Sequence, residues 1–368
     1  MAQEEKQCIE CGKAIYFEGI CYECRMRKNR EKYQSMPETE VARKIEAILQ
    51  EMDDSFYKKK EYDDFFGLLA FRGISTEKIA EAAASAGVYW PCELYRNAAP
   101  SAREKLITAL KKKDCQNANH ILQCLAIAGG ADVLAVFREL EANPLPWSKF
   151  LHVPPSVYAH AGGWTFDKDG NRIELNFPEC YPAIPAAIDA AENSAVSVAV
   201  PREDTCPHCA SRLIDILTID GNDKRLAFLG LSGKTGIPVC PQCAPMCERT
   251  MVRYRPDGNS SVTQVQPFGK CEKMHDEEYA QMTSKRFALA ERPAPLFFAR
   301  GNDESIITIG GFADWIQDFQ YDPCPDCGKT MRYLASVPWA ALSDYSEGTL
   351  FLDICSGCQI ISVIHQQT

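Results

Sequence analysis

Twelve of the chain's eighteen cysteines fall into six C-x-x-C pairs. A C-x-x-C turn lets two thiolates reach one ion, and two such turns complete the tetrahedron that Zn²⁺ prefers. Proximity couples Cys8 and Cys11 with Cys21 and Cys24, Cys206 and Cys209 with Cys240 and Cys243, and Cys324 and Cys327 with Cys355 and Cys358. The stretches between partnered turns are 9, 30 and 27 residues long. Redox chemistry of thioredoxin type uses one such pair in a βαβ setting, and six pairs are too many for it. Four thiolates leave no open position for water, so the spacing predicts three structural zinc ions rather than catalytic ones. Gly12 and Gly328 directly follow a second thiolate, where a positive φ turns backbone N–H groups toward sulfur.

Six cysteines remain: Cys92, Cys115, Cys124, Cys180, Cys247 and Cys271. Cysteine behaves as a small hydrophobe, so these are expected to be buried free thiols. Cys247 follows Cys243 closely enough to exchange for a ligand of the second site, and that alternative stays open. His208 lies inside its own knuckle and is expected to be exposed rather than ligating. Cys271 and His275 form a half-site with no evident partner.

The elements that must position these knuckles change character along the chain. Residues 1–37 read as a small zinc ribbon running into a basic stretch, Arg25, Arg27, Lys28, Arg30 and Lys32. Charge runs are usually solvated, and so short a ribbon depends on its metal. Residues 38–150 read as an α-helical, loosely HEAT-like array. Val41, Ile45, Ile48 and Leu49 repeat at helical spacing. Ser75 or Thr76 can open a helix that Gly87 stops, and Ser101 with Glu104 forms a capping box for a helix over 102–113. Further helices are expected over 117–128 and 131–143, the first closed by Gly129-Gly130 and the second by Pro144. Residues 151–201 read as a hairpin around Asp169-Gly170, then a proline-rich connector and an apolar strand over 195–200. Residues 202–368 read as a β-rich domain with two zinc ribbons. Each has the order knuckle, hydrophobic segment, loop, strand, knuckle, which suggests duplicated halves. The predicted class is therefore α+β multidomain.

Catalytic signatures are thin. Gly230-Leu-Ser-Gly-Lys-Thr235 is two residues short of a phosphate loop and reads as a turn. The pairs Asp53-Asp54 and Asp63-Asp64 read as solvated faces. The chain is not expected to be an enzyme. It holds 368 residues, 46% hydrophobic and 24% charged, with a formal net charge of −10. Each zinc on four thiolates carries −2, so the loaded protein should sit near about −16. That acidity argues against non-specific binding to nucleic acid or an anionic membrane. The N-terminus has no basic start and no apolar stretch, so a cytoplasmic location is expected.

The C-terminal half resembles the bacterial YwqG-like family. The likeness is carried by Ile309-Gly310-Gly311, Trp315-Ile316-Gln317-Asp318, Cys324-Pro325-Asp326-Cys327-Gly328, Met331, Leu334, Gly348-Thr349-Leu350 and the final Cys355-x-x-Cys358. It covers roughly residues 295–368 and, more loosely, reaches back to about 200. The resemblance implies no catalytic residues. It implies an association with bacterial polymorphic toxins, whose genetic neighbours are often immunity proteins. The function expected on this basis is to bind and neutralise a cognate toxin domain, an ADP-ribosyltransferase or a nuclease with the first preferred. The alternative is a zinc-ribbon module that binds nucleic acid or a transcription or translation complex, resting on the basic run at 25–32. Asp314, Asp318, Asp322 and Asp326 recur every fourth residue among aromatic residues. If 313–321 is helical, Asp314 and Asp318 share a face. Asp303, Glu304, Asp314 and Asp318 are the candidate steering acids, with Trp315, Phe319 and Tyr321 the candidate anchors.

Overall fold

The computed structural model describes residues 5–368 except 302, 344 and 345. Met1 to Glu4, part of the N-terminal stretch read above as leaderless, lie outside the described residues. The architecture is α+β. A two-strand hairpin, β1 (Lys6–Gln7) and β2 (Ala14–Ile15), leads into α1 (Tyr22–Gln34). The basic stretch is thus the body of α1. There follow α2 (Glu38–Gln50), α3 (Lys60–Arg72), α4 (Glu77–Ala86), α5 (Pro100–Leu110), α6 (Ala118–Ala128) and α7 (Ala131–Ala142). The helix expected from a capping box starts at Pro100 instead, because proline is pre-organised for the first helical turn. The Ser101 hydroxyl donates to Glu81 of α4, 2.9 Å away, instead of capping.

The hairpin at Asp169-Gly170 forms as expected, from β3 (Trp164–Phe166) and β4 (Arg172–Glu174). The proline-rich connector contains β5 (Cys180–Pro185). The apolar strand expected nearby becomes β6 (Val196–Thr205), which pairs with β7 (Arg212–Asp220) and then β8 (Lys234–Val239) in a three-stranded sheet. The larger sheet has eight strands. They are β9 (Cys247–Arg253), β10 (Ser261–Pro267), β11 (Phe287–Leu289), β12 (Ile307–Gly310), β13 (Arg332–Pro338), β14 (Thr349–Cys355) and β15 (Ile360–Gln366), with β5 among them. The order is β10-β9-β15-β14-β13-β12-β5-β11, and each neighbouring pair is antiparallel.

Period-two alternation decides what each sheet face covers. Along β14, Leu350, Leu352 and Ile354 join a core shared with Leu217, Ile219 and Ile237 of the small sheet. Phe351, between them, faces the opposite side and packs with Leu175, Trp315, Tyr321 and Tyr333. The helices have their own core, yet Cys180, Phe297, Phe298 and Ile306 belong to it as well. The sheet-forming half of the chain therefore closes the helical core.

The stretch 313–321 is not helical. Its backbone finds other partners: Ile316 and Gln317 N–H donate to the Gln366 side-chain oxygen at 3.1 and 3.0 Å, and the Gln366 amide donates back to the Asp318 carbonyl at 3.0 Å. Gln366 is buried at the end of β15. A buried backbone group needs one partner, and a side chain serves as well as a helix. Asp314 and Asp318 accordingly share no helical face.

Candidate metal centres

The knuckles are built by a repeated backbone device. The Cys8 N–H bonds the Lys13 carbonyl, Cys206 bonds Ser211, and Cys324 bonds Lys329, each at 2.8 Å. In the same turns Gly12, Ala210 and Gly328 donate back to Cys8, Cys206 and Cys324 at 2.8–3.0 Å. The residue after the second cysteine must then take a positive φ: 74° at Gly12, 60° at Ala210 and 70° at Gly328. Gln359, after Cys358, does so at 57°. The two remaining knuckles run into helical turns instead. Cys21 caps α1, and Cys240-Pro-Gln-Cys243 leads into a 3₁₀ turn over Ala244–Met246.

These turns bring the twelve predicted thiols into three groups of four, coupled as expected, with all sulfurs in a group within 4.8 Å of one another. All eighteen cysteines are free. Zinc–sulfur bonds of ~2.3 Å in a tetrahedron place neighbouring sulfurs ~3.8 Å apart. The observed Sγ···Sγ separations are 3.6 Å for Cys11 and Cys21, 3.8 Å for Cys206 and Cys243, 3.5 Å for Cys209 and Cys240, and 3.8 Å for Cys327 and Cys355. All three groups fit a tetrahedral thiophilic ion such as Zn²⁺. The ion would be held in the first by the turn β1–β2 and the start of α1. In the second it would sit beyond β6–β7 and β8, and in the third ahead of β13 and at the turn β14–β15.

One thiol in each group is primed to ionise. Burial pushes Cys8 up, but backbone N–H groups of Cys21, Cys11 and Glu10 outweigh it and bring the thiol down to about 6. Cys209 is likewise pushed up by burial, then drawn to about 7 by the Ser211 hydroxyl and N–H. The backbone of Lys329 brings Cys327 to about 7. Their neighbours move the other way. Burial raises Cys21 and Cys240, and Cys358 is pushed up to about 12 by its hydrogen bond with Cys327. Four thiolates without a counter-charge repel, so a divalent cation is what lets all four ionise.

Cys247 does not join the second group of four, although it is buried beside it. Burial pushes it up to about 12. His208 is exposed, as expected, but sits within reach of Cys243 and Cys271. Cys92, Cys124 and Cys180 are buried thiols, whereas Cys115 and Cys271 are half-exposed.

The candidate partner surface divides. Trp315 stacks on Phe351 and meets Tyr321 edge-on at 5.4 Å, so these two of the three candidate anchors are core residues. Asp303 is buried and paired with Arg30 of α1. Asp314 pairs with Arg300 at 2.6 Å, and burial outweighs that charge and pushes its carboxyl up. Glu304 and Asp318 are exposed and Phe319 is half-buried. Of the four candidate steering acids, Glu304 and Asp318 are thus the two that are exposed. The spacing of aromatics suggested a surface because it mimicked a helix, and nothing local revealed Gln366 as the partner of their backbone. In the basic run, Arg27, Lys28 and Arg30 pair with Glu31, Glu10 and Asp303.

Among the described residues, no helix is long and apolar enough to cross a membrane. No family model matches the chain. No solved structure matches it either. It is 28% identical over 278 residues to a protein of Salmonella typhimurium (strain LT2) named "Uncharacterized protein YpfL". The alignment covers 74% of this chain and 64% of that protein, so the chain spans under two thirds of its relative's length. Through these residues the chain is similar to YpfL, a relative whose name assigns no activity.

Proposed function

We propose that three Zn²⁺ ions staple the three four-cysteine groups, and that the protein is an immunity protein. It binds a cognate bacterial toxin domain, possessing ADP-ribosyltransferase activity, and neutralises it by covering the active site. The observation that carries this reading is the charge. The chain stands at −10 before any metal is counted, and three zinc-thiolate centres add −2 each, to about −16. A toxin that acts on a nucleotide or nucleic acid needs a basic cleft. An acidic inhibitor meets such a cleft rapidly and is then held by apolar anchors. Glu304 and Asp318 are exposed for steering. In place of Trp315 and Tyr321, Phe150 is the anchor. It is 69% exposed beside a groove of about 760 Å³ that Leu145, Leu151 and Val153 help to line, with Glu141 and Lys149 the charged residues in its wall.

The test is co-expression of the full chain with the C-terminal domain of a toxin encoded beside it. Rescue of growth and a one-to-one complex support the reading. Glu304→Lys with Asp318→Lys should slow association and flatten its salt dependence, and Phe150→Ala should speed dissociation. Killing that continues unchanged in the presence of the protein sinks the reading.

A second reading, a zinc-ribbon module for nucleic acid or a transcription or translation complex, has one observation behind it. A cavity of about 840 Å³ beside the first cysteine group is lined by Lys13, Arg27, Arg30, Lys285 and Arg286, with Glu23 opposing them. Mobility shifts of DNA or RNA at sub-micromolar protein would favour it, since non-specific binding alone lies nearer ~10⁻⁴ M.

A further inference from the structure

The side chains around the second cysteine group exceed what one ion needs. His208, Cys243 and Cys271 each bring a ligand atom to within 4.8 Å of the other two, and Cys243 belongs at once to this trio and to the group of four. His208 comes from the β6–β7 knuckle, and Cys271 from the loop that follows β10. The same loop orients the imidazole: His208 Nε2 lies 3.0 Å from the Gly269 carbonyl. When Nε2–H donates to that carbonyl, Nδ1 keeps its lone pair for a metal. Histidine ligands are commonly fixed in this way, through a carbonyl on the second ring nitrogen. Cys247 packs in the same cluster as Cys243 and Cys271.

We propose that the second group is binuclear. A second Zn²⁺ is held by His208, Cys271 and Cys243, with the Cys243 thiolate bridging the two ions and Cys247 available for the fourth place. A thiolate sulfur has lone pairs for two metals, and mixed thiolate and imidazole sets suit zinc. The charge favours the second ion. One Zn²⁺ on four thiolates leaves −2 on a single metal. Two Zn²⁺ on six thiolates and a neutral imidazole also leave −2, now spread over two metals, so buried Cys247 and half-exposed Cys271 are ionised at no added net charge. A single ion would instead leave the Cys271 and His208 lone pairs converging on a sulfur already used.

Elemental analysis of the full-length protein tests this. The wild type should hold four zinc ions per chain, and the double variant His208→Ala with Cys271→Ser should hold three. Both positions are at or near the surface, so circular dichroism should be unchanged. With ¹¹³Cd in place of zinc, two resonances should be coupled through the shared sulfur in the wild type, and in the variant one of them should vanish while the other loses its coupling. Three zinc ions in the wild type would overturn the binuclear site while leaving the three four-cysteine sites intact. A fourth ion that survives the double substitution would overturn it too.

Discussion

Trp315 lies almost flat on Phe351, with ring centroids 4.5 Å apart and planes 26° from parallel. The indole thereby seals the face of the large sheet that the small sheet leaves open. Trp315→Ala should remove ~3–5 kcal/mol of stability, the usual cost of emptying a buried aromatic site. Urea unfolding should show the lower midpoint, and partner association of the folded protein should be unaffected. Normal stability with weakened association would return Trp315 to the binding surface.

Ala210 is an L-residue in a left-handed conformation, at the place where the matching knuckles carry Gly12 and Gly328. The β-carbon costs ~1–2 kcal/mol there, partly offset by the larger entropy that glycine loses on folding. Ala210→Gly should therefore raise stability by about 1 kcal/mol with zinc content unchanged. A lower unfolding temperature would show that the knuckle turn is not strained.

Arg300 bonds Glu93 at 2.5 Å and Asp314 at 2.6 Å, joining the turn at 92–95 to the segment that carries Trp315. Arg300→Met strands two carboxylates and should cost ~3–5 kcal/mol. Adding Glu93→Gln and Asp314→Asn should restore most of that loss, because the penalty comes from unpaired charge. Thermal unfolding of the single and triple variants makes the comparison. Equal losses in both would assign the effect to packing instead.

His160 sits edge-on to Tyr321 at 5.1 Å, and burial pushes its imidazole down from the ordinary 6.5 to about 4. Below 6.5 the unfolded chain takes up a proton that the folded protein refuses. Stability therefore falls as pH drops from 6.5 toward 4, by up to about 3 kcal/mol, and the loss levels off below 4. His160→Gln does not titrate, so its stability should fall less between pH 7 and pH 5. Parallel slopes for the two proteins in urea titrations would rule out His160 as a source of acid sensitivity.

The cysteine groups were legible because C-x-x-C spacing fixes local geometry almost unaided. The positive φ was legible at Gly12 and Gly328 but not at Ala210 or Gln359, where the turn imposes it on residues that do not advertise it. The helices α4, α6 and α7 end where Gly87, Gly129 and Pro144 say they should. What escaped was non-local. Gln366 replaces the helical bonds expected within 313–321, from some fifty residues away. Three prolines near β5 hid a strand inside the large sheet, where the Pro182 carbonyl still accepts from Ala290 N–H at 2.9 Å. The trio His208, Cys243 and Cys271 likewise joins a knuckle to a loop that no spacing rule connects.

The place of β15 sets a timetable for the molecule's birth. β9 and β10 leave the ribosome as a hairpin, but in the finished sheet β9 is joined to β14 only through β15, the last strand in chain order. Until translation reaches residues 360–366, the edges of β9 and β14 are open, and unpaired strand edges invite other chains. Gln366 arrives at the same moment and fixes the 313–321 segment. Completion of the large sheet therefore waits for β15, a step made slow by its long-range pairing and sensitive to how promptly chaperones shield the waiting strands.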